Sequence, residues 1–91
     1  MMDKTAFQKI SVVGLGYIGL PTAAVFASRK VSVLGVDVNQ TAVDTINRGE
    51  IHIVEPDLDI VVRATVSEGY LRASTKPEPA EAFLIAVPTP F

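Results

Sequence analysis

Runs of apolar, β-branched residues alternate along this chain with stretches in which apolar positions recur every three or four residues. Residues 10–13 form a short buried-type run ending at Gly14, the pattern of a strand covered on both faces in a parallel sheet. Residues 20–28 are small or apolar, with Pro21 near the first turn, and predict a helix. The run 31–36 repeats the strand pattern and stops at Asp37. Residues 39–47 then predict a second helix, with Ala42, Val43 and Ile46 on one face and Gly49 just past its end.

A third helix is expected to begin at Pro56. Asp57 and Asp59 would lie in its first turn, where the helix dipole favours acids, and Leu58, Val61, Val62 and Val66 would form its apolar stripe. Gly69 would end it. Residues 70–74 predict a short strand, 75–79 a turn-rich connection, and 83–87 another buried strand. The stripes Ala24-Val25-Ala27 and Val61-Val62 read as core. The order β-α-β-α-α-β-β implies right-handed crossovers and an α/β fold, a parallel sheet with helices packed on its faces.

The segment VVGLGYIGL sharpens this. Gly14, Gly16 and Gly19 stand in G-x-G-x-x-G spacing directly after the first strand, at the opening of the first helix. Gly14 suits a tight turn, Gly16 lets backbone approach a pyrophosphate, and Gly19 lets the helix pack close to the strand. The amides of Tyr17 and Ile18 would then be the phosphate donors at the helix N-terminus. Three glycines in six residues also suit a plain turn, so position in the fold carries the reading.

Asp37 supplies that position, eighteen residues after Gly19 at the end of the second strand. A carboxylate there accepts from adenosine ribose hydroxyls and repels a 2′-phosphate. No arginine follows it in Val38-Asn39-Gln40, so NAD is favoured over NADP. The competing reading makes Asp37 a simple cap of the next helix. In a Rossmann-type sheet of order 3-2-1-4, the loop Val87-Pro88-Thr89-Pro90 would bring Thr89 to the cofactor opposite the glycines; a locally bonded, proline-stiffened loop is the alternative. The expected fold is therefore α/β of Rossmann type, the first (adenosine-side) half only.

Composition narrows the remaining classes. Eight basic against ten acidic residues, with no basic cluster, argue against nucleic acid. No stretch approaches the ~20 apolar residues of a membrane span, and the opening MMDKTAFQKI has no secretory cleavage pattern, so no membrane partner and a cytoplasmic location are expected. There is no cysteine, and His52 is the lone imidazole. With Glu55, Asp57 and Asp59 it makes a weak metal set, and those acids read better as dipole partners. No catalytic residue and no metal ligand is assigned.

GLGYIGLPTA, GVDVN, INRGEIHIVEPDL and IAVPTP, in this order and spacing, resemble the UDP-glucose/GDP-mannose dehydrogenase family over roughly residues 10–91. The form HIVEPDL, where many relatives have Tyr-Glu-Pro-Gly-Leu, looks most like the bacterial members that oxidise UDP-N-acetyl-D-mannosamine for surface polysaccharides such as enterobacterial common antigen. The resemblance implies NAD contacts by Tyr17, Ile18, Asp37 and Thr89. Ala42 stands where some relatives place a lysine near the adenosine phosphates. It also implies two-step oxidation of the sugar C6 alcohol with two NAD through a cysteine thioester, and a homodimer as the full-length protein. The cysteine, the other hydrolytic residues and the UDP-sugar domain are expected beyond Phe91, so residues 1–91 are expected to be an N-terminal NAD-binding domain incomplete at its C-terminal end and inactive alone. UDP-glucose is the alternative substrate, and a non-catalytic nucleotide-sensing Rossmann module the alternative class.

Overall fold

The structure, a computed structural model, describes residues 9–86. Its elements are β1 (Lys9–Val13), α1 (Gly19–Ser28), β2 (Ser32–Val36), α2 (Gln40–Asn47), α3 (Leu58–Glu68), β3 (Leu71–Ser74) and β4 (Ala82–Ile85). The four strands form one sheet in the order β3-β2-β1-β4, every pairing parallel. This is the expected arrangement. Ser11 stands level with Leu34 on one side and Phe83 on the other, so β1 is the central strand from which the chain turns in both directions.

Parallel register places Ile10, Val12, Val33, Leu71 and Ala73 on one face, and all three helices contribute to the core built on it. From α1 come Leu20, Ala23, Ala24 and Ala27, whose small side chains let the helix lie close to the strands. Val43 and Ile46 of α2, and Leu58 and Val62 of α3, complete the layer. Val25 is 53% exposed and does not belong to the core as its stripe suggested; it faces outward from α1, one residue past the inward pair. Val61 packs at the edge of the core, half-buried.

Two boundaries differ from expectation by more than one residue, for local reasons. Helix α3 begins at Leu58 rather than Pro56, because Asp57 takes a left-handed conformation (φ 64°) and cannot belong to the first turn. Asp59 alone remains as the acid of that turn, and the Asp57 side chain makes no capping bond. Strand β4 was expected to be buried over 83–87. It spans Ala82–Ile85, Val87 lies outside the described residues, and Phe83 and Ile85 are 51% and 67% exposed. The cause is position: β4 is an edge strand paired to β1 alone, whereas Ser11 and Leu34, level with Phe83 on the two interior strands, are buried.

Side chains fasten what the ladders leave open. At the opposite edge, the Asn47 amide donates to the Ala73 carbonyl (2.9 Å) and accepts from the Ala73 N–H (2.8 Å), pairing the outer side of β3 as a further strand would. Below the sheet, Glu78 in the β3–β4 connection bonds both Arg72 and Lys9. The Arg72 hydrogen bond, followed by that of Lys9, holds the Glu78 carboxyl down to about 2.

Candidate functional site

The glycine turn follows directly from the end of β1. Gly14 takes φ 98°, a conformation open to glycine, and its N–H donates to the Val36 carbonyl (2.7 Å), so the chain bends while still tied to β2. Leu15 then turns inward and is buried, over Gly35. A Cβ at Gly35 would stand 2.7 Å from a Leu15 methyl carbon, so the glycine inside β2 makes the seat for this side chain. Gly16 has open space where a Cβ would be. Gly19 has none: a Cβ there would collide with the Gly14 carbonyl oxygen and press the Ala86 side chain, which is how the first turn of α1 comes so close to the strand. Local geometry thus requires glycine at 14 and at 19 for two different reasons, and does not require it at 16.

Tyr17 and Ile18 sit at the exposed entrance of α1, 65% and 72% accessible. Leu20 N–H bonds back to Gly16 and Thr22 N–H to Ile18, closing the first helical turn. The amides of Tyr17 and Ile18 have no hydrogen-bond partner among the described residues. They are the unspent donors that a helix start presents to an anion.

Asp37 ends β2 on the same side. One carboxylate oxygen accepts from the Leu15 N–H (2.9 Å), the other from the Asn39 N–H (3.0 Å). The helix cap is Asn39, whose side chain accepts from the Ala42 N–H (3.2 Å), so the capping role considered for Asp37 belongs to its neighbour two residues on. Asp37 is left half-buried beside the glycine turn.

Gly14, Leu15, Gly16, Tyr17, Ile18, Asp37, Ile85 and Ala86 line a cleft of 660 Å³. It opens at the carboxyl ends of β1, β2 and β4, where the strand order reverses around β1, the place ligands occupy in open parallel sheets. Its chemistry is asymmetric: N–H donors at one side, one carboxylate at the other, and apolar wall between. That suits an extended molecule with an anionic middle and a hydroxyl-bearing end. Ala86, the last described residue after β4, lines this cleft; Thr89 lies outside the described residues.

Of the residues expected at a site, Gly14, Gly16, Tyr17, Ile18 and Asp37 meet in the cleft, and Gly19 packs directly behind it. His52, Glu55, Asp57 and Asp59 are all exposed, and among the described residues no three metal-ligating side chains come together. Leu15, Gly35 and Asn39 were missed. Gly35 had a signal, since a glycine inside an otherwise apolar strand marks close approach of another group.

A model of the UDP-glucose/GDP-mannose dehydrogenase family, NAD binding domain, matches residues 8–91. The chain is 78% identical over 85 residues to an NDP-N-acetyl-D-galactosaminuronic acid dehydrogenase of Ralstonia nicotianae, covering 93% of the chain and 20% of that protein. To the UDP-N-acetyl-D-mannosamine dehydrogenase of Escherichia coli K12 it is 72% identical over 86 residues, 94% of the chain and again 20% of the relative. The fold superposes on the UDP-N-acetyl-mannosamine dehydrogenase Cap5O of Staphylococcus aureus with a TM-score of 0.87 and 54% identity, over 90% of the chain and 20% of that structure. The chain therefore spans about a fifth of the length of these relatives.

Proposed function

From its membership of the UDP-glucose/GDP-mannose dehydrogenase family, whose NAD-binding domain it matches, we propose that this chain is the adenosine-side half of the NAD site of a nucleotide-sugar 6-dehydrogenase. The observation that carries the reading is the cleft lined together by Gly16, by Tyr17 and Ile18, whose amides have no partner among the described residues, and by Asp37. The diphosphate lies over Gly16 against those amides. The adenosine ribose hydroxyls bond Asp37, and the negative charge there disfavours the 2′-phosphate of NADP. Thr89, outside the described residues, is assigned to the cofactor on the family resemblance alone.

The full-length enzyme, on this proposal, oxidises the C6 alcohol of UDP-N-acetyl-D-mannosamine to the uronic acid with two NAD, as a cytoplasmic homodimer serving surface polysaccharide synthesis. Residues 1–91 are then its N-terminal NAD-binding segment. The chain contains no cysteine, so a thiolate for the aldehyde step comes from the remainder of the protein. A second reading has its own support: the Ralstonia relative, at 78% identity, is named for an N-acetyl-galactosaminuronic acid, which makes an N-acetylgalactosamine nucleotide the rival substrate. The test is NADH formation by the full-length protein offered UDP-N-acetylmannosamine, UDP-N-acetylgalactosamine and UDP-glucose in turn. Two NADH per UDP-N-acetylmannosamine is the expected result; turnover of either other sugar in preference reassigns the substrate, and absence of NADH with all three contradicts the enzymatic reading.

A further inference from the structure

Building on the ribose assignment just made, we infer that Asp37 is also a positioning residue, whose carboxylate holds the glycine turn in its ligand-ready shape before a dinucleotide arrives. Both carboxylate oxygens are already engaged, one by the Leu15 N–H at 2.9 Å and one by the Asn39 N–H at 3.0 Å. Leu15 stands between Gly14 and Gly16, flanked by the two residues with the greatest backbone freedom. Three neighbouring residues of β2 and its end restrain that freedom. Val36 accepts from Gly14, Gly35 seats the Leu15 side chain, and Asp37 takes the Leu15 amide. On its other side Asp37 holds Asn39, which in turn caps α2 through Ala42. The carboxylate thus joins the glycine turn to the start of the second helix.

The acceptor count agrees with a double role. A carboxylate offers about four lone-pair sites, two on each oxygen. Two serve the amides of Leu15 and Asn39, leaving one on each oxygen for the two hydroxyls of one ribose. An asparagine cannot replace it, because its NH₂ group would face a backbone N–H, donor against donor. A site fixed in advance binds more tightly because less ordering remains to be done on binding.

The test uses the full-length protein and two probes, NAD and the analogue whose adenosine ribose lacks both hydroxyls, titrated by calorimetry into wild type, Asp37→Ala and Asp37→Asn. The analogue gives Asp37 nothing to hold. A positioning role predicts that both variants nevertheless lose about tenfold or more in affinity for it, the size of a broken charge-assisted hydrogen bond. Hydrogen exchange in the ligand-free variants should quicken over residues 14–19 and at the start of α2 only. The wild-type preference for NAD over the analogue should fall to parity in Asp37→Ala, which loss of fold alone would not produce. Unchanged analogue affinity, or unchanged exchange over 14–19, overturns the positioning role. Equal wild-type affinity for the two probes overturns the ribose assignment instead, so the two failures are told apart. Should Asp37→Ala not fold, Asp37→Ser keeps one acceptor and gives the same comparison.

Discussion

Gly16 and Gly19, three residues apart, make opposite demands on a substitution. Because a Cβ on Gly16 enters open space, Gly16→Val leaves the fold nearly untouched, within about 0.5 kcal/mol as for other surface changes. The same side chain stands where the diphosphate passes, so NAD affinity of the full-length protein falls by more than about tenfold, which calorimetry beside a thermal melt would register. Unaltered affinity would reduce the glycines to turn residues. Asp57 offers the converse case, a non-glycine residue at φ 64°. Asp57→Gly relieves a left-handed conformation that disfavours side chains by ~1–2 kcal/mol, offset by ~0.4–1 kcal/mol of extra unfolded-state freedom. A gain of about 0.5–1 kcal/mol in urea denaturation is the expected outcome; a loss would mean that the aspartate side chain makes a contribution of its own.

Elements were legible where one periodicity ruled. The alternation of buried strands and helices gave all seven elements and the parallel order, since β-branched runs and three-to-four spacing do not imitate each other. Tertiary partners were harder to read. The apolar run of β4 looked buried, yet a sequence states only that a residue seeks cover, and Phe83 and Ile85 stay exposed on the edge strand. The left-handed turn at Asp57 and the cap at Asn39 hinge on single dihedral angles that composition does not display. The Asn47 pairing with Ala73 was equally invisible, because it joins residues 26 apart in sequence. Its energetic role can be measured: Asn47→Ala strips both bonds from the edge of β3 and should destabilise by about 1–3 kcal/mol, with faster exchange at the Ala73 amide. An unchanged denaturation midpoint would show that water replaces the side chain without loss.

At the scale of the whole molecule, the edge of β3 is paired by Asn47, whereas the other edge strand, β4, carries exposed Phe83, Leu84 and Ile85. An open apolar edge invites pairing with another chain, so the 91-residue chain alone should self-associate in light scattering at micromolar concentration. It should also bind NAD weakly, since the nicotinamide half of a doubly wound site is contributed by later strands, and it should form no NADH with any UDP-sugar. A monodisperse monomer, or NADH made by this chain alone, would contradict that division of labour. The central claim, that the cleft between Gly16 and Asp37 is the adenosine side of an NAD site, is tested most directly by determining the structure of the full-length protein with NAD bound. The account predicts the diphosphate within hydrogen-bonding distance of the Tyr17 and Ile18 amides and the adenosine ribose on Asp37; a dinucleotide seated anywhere else, with this cleft empty, would contradict it.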